Sequence, residues 1–167
     1  MKELFLLLMI LSAVIYAQDK NKLVTDEKSG KPMLLGICDR SAFADSNFSW
    51  WFNSEYDNYT PDSVTVMKLS KQINEVNITI VMGTWCSDSR REVPRFFKIL
   101  DKAGYNQQYL TLICVDRKKT TPTGEVDKLN IKFVPTFIIY EDTEEINRII
   151  ETPKETLEKD LALIVVK

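Results

Sequence analysis

Three apolar runs rich in β-branched residues predict buried strands. The first is NITIVMG over residues 77–83, which Gly83 ends, and the second is LTLICV over 110–115. The third is FVPTFIIY over 133–140, in which a proline precedes most of the apolar residues. EINRII over 145–150 follows after a short polar stretch and predicts an antiparallel hairpin with the third run.

Helical spacing of apolar residues precedes and separates these strands. Thr60 and Pro61 are a typical N-cap and first helical residue, and apolar positions extend that helix to about residue 76. A longer helix is predicted over residues 87–102, and Gly104 follows as its stop.

Two further helices are predicted in the last third of the chain. A short one covers residues 126–130, after a polar loop over 117–125. The last one begins in TPKE at 152–155, where Thr152 and Glu155 form a capping box with proline at the first helical position.

This alternation of helices and strands predicts an α/β fold. From residue 60 onward the predicted order is helix, strand, helix, strand, helix, strand, strand, helix. Alternating units favour parallel pairing of the first two strands with a right-handed crossover, and the last two strands form a hairpin. We therefore expect a mixed central sheet with helices on both faces.

Residues 1–17 predict a signal peptide. Lys2 precedes an apolar run from Leu4 to Ile15 that is short for a bilayer span, and Ala17 suits the last position before a signal-peptidase cut. We expect export to the periplasm or the extracellular space after cleavage near Ala17. An uncleaved anchor is the alternative, and membrane association is expected only in that case.

Residues 18–60 are expected to form an N-terminal extension ahead of a main domain at 61–167. The first part, 18–36, is polar with a Ser-Gly-Lys-Pro break and predicts a mobile or loosely packed segment. The second part, 37–59, is rich in aromatic residues that either pack on the main domain or form a docking surface for another protein. These residues are Phe43, Phe48, Trp50, Trp51, Phe52, Tyr56 and Tyr59.

Composition narrows the possible chemistry. The net charge is −2, and RKK at 117–119 is short enough for a solvated loop, so no nucleic-acid partner is expected. The sequence has no histidine, which removes histidine-based acid–base catalysis and the usual zinc sites. Three cysteines are an odd number, so at least one thiol is free or pairs outside the chain. They are Cys38, Cys86 and Cys114, the last in a predicted buried strand and expected to be a core residue.

Cys86 lies where the long helix is predicted to begin. Free N–H groups and the helix dipole favour a thiolate there, and the Ser89 hydroxyl can donate a hydrogen bond to the sulfur. Asp88 opposes the thiolate because its charge has the same sign. Arg90 and Arg91, about one turn further along, can offset Asp88.

Two motifs resemble the thioredoxin family. TWCSDSRREVP over residues 84–94 resembles its active-site turn and helix, with tryptophan before the cysteine and proline eight residues after it. FVPTF over 133–137 resembles the loop that carries the family's cis-proline. The resemblance covers roughly residues 62–167. The sequence around the cysteine is similar to that of a subgroup of exported bacterial thioredoxin-like proteins.

The resemblance implies a substrate-binding site around the cysteine. It makes Cys86 the nucleophile and places a cis peptide at Pro135 beside the sulfur, which leaves the backbone of Val134 to pair with an extended substrate. Thr136 continues this loop. Trp85 would be a flat apolar surface next to the thiol, with simple packing as the alternative. The implied partners are protein or small-molecule thiols and disulfides, and neither a cofactor nor a metal is implied.

Three departures from the family argue against an ordinary dithiol reductase. Ser89 stands where the family has a second cysteine, Ile80 where a buried acid is common, and Leu112 where a lysine often neighbours that acid. We therefore predict monothiol exchange or isomerisation, in which Cys86 forms a mixed disulfide that another thiol resolves. Cys38 is one candidate for that thiol, alongside thiols from other molecules.

Two other functions remain as alternatives. A binding or adaptor module without turnover would use the aromatic extension as its interaction surface. A thiol peroxidase or redox sensor is less favoured, because no basic residue is firmly placed on the sulfur and no Thr-x-x-Cys pattern precedes it.

Overall fold

The computed structural model describes residues 20–167, so the predicted signal peptide lies outside the described residues. Within this range six strands form one sheet: β1 Lys22–Thr25, β2 Pro32–Cys38, β3 Asn77–Met82, β4 Leu110–Cys114, β5 Thr136–Glu141 and β6 Glu144–Ile150. The α-helices of the same range are α1 Ser46–Asn58, α2 Ser63–Leu69, α3 Ser87–Ala103 and α4 Leu157–Val165. No helix between residues 20 and 167 is long and apolar enough to cross a membrane.

The sheet is mixed, with strand order β1-β2-β4-β3-β5-β6. β3 and β4 are parallel, and all other neighbouring strands are antiparallel. The predicted α/β class, the parallel pair and the hairpin of the last two strands are thus confirmed. A helix that follows β3, together with a β5–β6 hairpin at the sheet edge, is the arrangement that the thioredoxin resemblance implies.

The two faces of the sheet are covered differently. One face bears Ile80, Leu112 and Phe137, and the buried side chains of all four described α-helices belong to the same core. The other face bears Val81 and Ile113 and is covered by irregular chain that follows β4. The helices of the described range therefore share one face, whereas the sequence predicted helices on both.

The short helix predicted on the second face does not form. Residues 126–130 make turns, and Asn130 has a φ of 53°, which a right-handed helix does not allow. Val126 is nevertheless buried against the sheet together with Val134. Apolar side chains in turns cover this face. Five residues are too few to form a stable helix without strong caps.

The N-terminal segment belongs to the sheet and is not loosely packed. β1 and β2 form a hairpin, and β2 pairs with β4 from Gly36 opposite Cys114 to Cys38 opposite Leu112. The side chains of β1 are largely exposed, as expected of a short edge strand. The polar sequence that suggested a mobile segment is the sequence of this edge strand and its turn.

Most aromatic residues of the extension are buried between α1 and α3. Phe43 stacks on Phe52 with ring centroids 4.6 Å apart, and Trp51 packs edge-on against Phe43 at 5.6 Å. Phe48 is also buried, whereas Trp50 is 66% exposed. The packing interpretation is confirmed for the buried residues, and only Trp50 among these five is available to a partner.

Two helices begin later than predicted. α2 follows Asp62, whose carboxylate accepts from the Thr65 N–H at 2.9 Å, so Thr60 is not its N-cap. α4 follows Thr156 as N-cap, beyond the capping box predicted at 152–155. Each stretch contains several residues that favour the N-cap position. The starts of the two helices are linked, because the Glu158 carboxylate of α4 accepts from the Asp62 N–H at 2.9 Å.

Candidate functional site

Cys86 is the N-cap of α3, in a tight turn after β3. Its N–H donates to the Gly83 carbonyl at 2.9 Å, and its own carbonyl accepts from the Arg90 N–H at 3.1 Å. A Cβ on Gly83 would lie 2.5 Å from Cε2 of Trp85, so only glycine lets the indole fold back over the turn. This turn places the sulfur at the N-terminal end of a 17-residue helix.

The structure brings the Cys86 thiol to the predicted cis-proline loop. The Sγ atom donates to the Val134 carbonyl at 3.3 Å, and the Val134–Pro135 peptide is cis. Thr136 is buried, and its hydroxyl donates to the Phe133 carbonyl at 2.7 Å. The backbone before Pro135 therefore faces the sulfur, while the Thr136 side chain is engaged within the loop.

Ser89 does not have the partner that was predicted for it. Its side chain is fully buried, and its Oγ accepts from the Gly83 N–H at 3.2 Å. The hydrogen-bond partner of the Cys86 thiol is Val134, as described above. Ser89 thus links α3 to the end of β3 and does not hydrogen bond the sulfur.

Trp85 combines packing with partial exposure. Its indole Nε1 donates to the Val115 carbonyl at 2.9 Å, and the ring packs against the smaller core on the second sheet face. The guanidinium of Arg117 lies over the ring, 5.0 Å from its centroid. The packing alternative is therefore confirmed, and the apolar surface beside the thiol stays a prediction.

Arg90 and Arg91, in the first turns of α3, have different partners. Arg91 forms ion pairs with Asp88 at 2.8 Å and with Glu92 at 2.6 Å, so Arg91 supplies the predicted offset to Asp88. Arg90 points the other way, and its Nε donates to the Thr84 carbonyl at 2.6 Å. Helical side chains lean towards the helix N-terminus, which carries the Arg90 guanidinium back alongside the cysteine turn.

Arg117 joins this site although the sequence suggested only a solvated loop over 117–119. Its guanidinium makes a bidentate contact with Asp26 at 2.8 to 3.1 Å, and Asp26 is only 3% exposed. Hydrogen bonds from Arg117 and then Ser29 hold the pKa of Asp26 well below its usual range. Asp26 in turn raises the pKa of Arg117, and the charge of Cys86 adds to that rise.

One signal in the sequence points towards Arg117. Parallel strands end at the same edge of a sheet, and β3 and β4 are parallel. The cysteine turn follows β3 and Arg117 closely follows β4, so the two segments are expected to be neighbours. Asp26 carries no such signal, because it lies in the turn of the β1–β2 hairpin, which joins the rest of the sheet only through the long-range pairing of β2 with β4.

The structure does not bring Cys38 to Cys86. Cys38 and Cys114 are buried in the main core, whereas Cys86 borders the smaller core on the opposite face of the sheet. Hydrogen bonding between the two buried thiols lowers the pKa of Cys38 and, together with burial, raises the pKa of Cys114. Cys114 is a core residue as predicted, and the thiol nearest to Cys38 is that of Cys114.

No family model matches the chain, and no curated protein matches it. A protein of unknown function from Pseudomonas aeruginosa is 14% identical, with a TM-score of 0.45 over 69% of this chain and 68% of that one. Thioredoxin O2 from Arabidopsis thaliana is 17% identical, with a TM-score of 0.40 over 62% and 85%. Mitochondrial thioredoxin 3 from Saccharomyces cerevisiae is 18% identical, with a TM-score of 0.35 over 57% and 86%. Similarity at this level assigns no activity to the chain.

Proposed function

We propose that this protein is an exported, thioredoxin-like thiol–disulfide exchange protein that acts through Cys86 alone. The Cys86 thiolate attacks a disulfide sulfur of the substrate and forms a mixed disulfide. The departing thiolate takes a proton from water. An external thiolate then attacks the substrate sulfur of the mixed disulfide, forms a new disulfide with the bound half and expels Cys86 as the thiolate. Each cycle transfers one disulfide between partners, which allows reduction or isomerisation.

The observation that carries this proposal is the contact between the Cys86 Sγ and the Val134 carbonyl at the cis Val134–Pro135 peptide. The sulfur is partly exposed and lies at the N-terminal end of α3. An extended substrate chain that lies along the cis-proline loop would present its disulfide to this sulfur. Ser89 offers no thiol to close an internal disulfide, which supports the monothiol cycle.

Trapping the mixed disulfide tests the proposal. The full chain is incubated with a small disulfide, and non-reducing peptide mass spectrometry locates the adduct. We expect the adduct on Cys86 and none in Cys86→Ala, while Cys114→Ala, a substitution in the core, keeps both the adduct and the turnover. Turnover that persists in Cys86→Ala, with circular dichroism showing a folded chain, contradicts the proposal.

Export is tested separately from the chemistry. We expect the chain produced in a bacterial host to appear outside the cytoplasm with Gln18 as its first residue, because Ala17 precedes the predicted cut. N-terminal sequencing of the purified protein reads this directly. A product that retains Met1 in the membrane fraction would support the uncleaved anchor.

A binding or adaptor module is the second candidate, and the exposure of Trp50 favours it. This side chain is 66% exposed, although its neighbours Trp51 and Phe52 are buried. A pulldown in which Trp50→Ala loses a partner and Cys86→Ala retains it would support the adaptor. The converse result would support exchange through Cys86.

A further inference from the structure

One cation beside the cysteine turn lacks a counter-ion in the part of the chain that the structure describes. The sequence has six arginines, all within the described residues, and Arg90 forms no ion pair there. The five that pair with a carboxylate are Arg40, Arg91, Arg95, Arg117 and Arg148. A partly buried charge without a counter-ion is unfavourable, so Arg90 is the position at which an anion gains most.

Arg90 is held close to the sulfur. Its Nε donates to the Thr84 carbonyl at 2.6 Å, two residues before Cys86. Desolvation lowers the pKa of Arg90. The charge of Cys86 acts to raise this pKa, and the charge of Arg117 acts to lower it further. The guanidinium therefore lies within electrostatic reach of both the cysteine and the second arginine.

Arg117 borders the same turn from the segment that follows β4, the parallel neighbour of β3. It lies over the Trp85 ring, and its bidentate contact with Asp26 fixes its orientation. Because Asp26 compensates most of its charge, Arg117 contributes remaining N–H donors more than net charge. The residues Thr84, Trp85 and Cys86 are thus bracketed by two guanidiniums.

We propose that Arg90 and Arg117 recognise a carboxylate on the disulfide substrate, so that Cys86 exchanges preferentially with anionic disulfides. This inference rests on the proposed exchange function and names its substrate class. The carboxylate supplies the counter-ion that Arg90 lacks and accepts hydrogen bonds from Arg117. The reacting disulfide bond is then held at the Cys86 sulfur, which attacks it and releases the second half as a thiolate.

Alkylation tests the arginine site without any turnover. Iodoacetate and iodoacetamide both react with the thiolate of Cys86, but only iodoacetate is an anion. The ratio of their rate constants therefore cancels the thiolate population and reports the local charge. Peptide mass spectrometry of the full chain measures both rates at Cys86 alone.

We expect Arg90→Gln to lower the iodoacetate-to-iodoacetamide ratio by about three- to tenfold at low salt, as for a unit charge several ångströms away. Arg117→Gln lowers it less, because Asp26 compensates that charge. Lys102→Gln, the same change of charge at the far end of α3, leaves the ratio unchanged. A ratio in Arg90→Gln equal to that of the unmodified chain overturns the inference.

The salt dependence of the iodoacetate-to-iodoacetamide ratio tests the inference without a variant, which matters if an arginine variant folds poorly. The ratio for the unmodified chain falls when ionic strength rises from 0.02 to about 0.5 M, because screening weakens the attraction. A ratio that is independent of salt overturns the inference without any substitution.

Exchange rates separate this inference from the proposed function. Dithiodipropionate, a dianion, is expected to react with Cys86 faster than cystamine, a dication, and Arg90→Gln narrows the difference. Equal rates for the two disulfides would overturn the substrate class and leave monothiol exchange standing. No reaction with either disulfide, with an iodoacetate ratio that still depends on Arg90, would overturn the exchange function and leave the anion site.

Discussion

Ser89 lies three residues after Cys86, yet its hydroxyl serves the backbone of the preceding strand. The Gly83 N–H donates to it at 3.2 Å, in a part of the protein that water does not reach. A buried N–H that loses its acceptor carries its full desolvation cost. Ser89 is therefore expected to stabilise the turn and to have little direct effect on the sulfur.

We predict that Ser89→Ala lowers the free energy of unfolding by about 1–3 kcal/mol, because it leaves the Gly83 N–H without an acceptor. Urea denaturation of the full chain measures this loss. Ser87→Ala is the matched control, since Ser87 is exposed at the first position of α3, and we expect little change there. Equal stability of the Ser89→Ala and unmodified chains would contradict the hydrogen-bonding role.

The contact between Asp26 and Arg117 predicts a pH dependence of stability. The pKa of Asp26 is lower in the folded protein than in the unfolded chain, where it is about 3.9. The stabilisation is therefore complete above about pH 4 and decreases as the pH falls below that value.

We expect Asp26→Asn to be less stable than the unmodified chain at pH 7. The difference should narrow steadily between about pH 4 and pH 2, because the carboxylate becomes protonated in the unfolded chain first. Urea midpoints measured at several pH values check this expectation. A difference that stays constant over this range would show that the charge of Asp26 does not stabilise the fold.

At the scale of elements, the short 3₁₀ turn before α1 and α1 itself attach the N-terminal segment to α3. Phe43 contacts Trp51, Phe52 and Phe97 through ring faces and edges. Arg40 lies 4.9 Å over the ring of Tyr56. These elements form part of the main core, so the extension and the rest of the described chain stabilise one another.

Phe43→Ala is predicted to cost about 3–5 kcal/mol, as large-to-small substitutions of buried aromatic residues do. Trp50→Ala should change stability little, because this side chain is largely exposed. Thermal and urea unfolding of both variants provide the comparison. A large loss of stability in Trp50→Ala would mean that this residue packs in the fold and would weaken the adaptor alternative.

At the scale of the whole molecule, the sheet separates the thiols. Cys38 and Cys114 lie in the core under the helices, and Cys86 borders the opposite face. A disulfide needs Cα atoms within about 7 Å, whereas the Cys38 thiol contacts Cys114 and the Cys86 thiol contacts the Val134 carbonyl. Under the proposed exchange function, an external thiol would therefore resolve the mixed disulfide at Cys86.

We predict that no Cys38–Cys86 disulfide forms when the folded protein is treated with a small disulfide. Non-reducing peptide mapping should show only the adduct at Cys86. The same treatment in concentrated guanidinium chloride is the control, because the unfolded chain lets the two cysteines meet. A Cys38–Cys86 peptide from the folded protein would restore Cys38 as the resolving thiol.

Local pattern accounts for the elements that were predicted correctly. β3 ends at Met82 within the predicted run, and α3 begins at Ser87 and ends at Ala103, one residue beyond the prediction. Apolar spacing and the Gly104 stop act within a few residues of the chain, so sequence alone reveals them. The short helix predicted at 126–130 was wrong: the apolar residues of this stretch pack against the sheet from turns.

The sequence by itself determined that Cys86 lies where α3 begins and that no second thiol follows at position 89, because helix-start signals and residue identities are local. That Pro135 lies beside Cys86 was implied by the resemblance of FVPTF to a family motif. Only the tertiary structure decided that β2 pairs with β4, that Asp26 holds Arg117 over Trp85 and that Arg90 has no counter-ion among residues 20–167. Asp26 and Arg117 are 91 residues apart in the chain, and such contacts depend on which strands pair, which local periodicity does not encode.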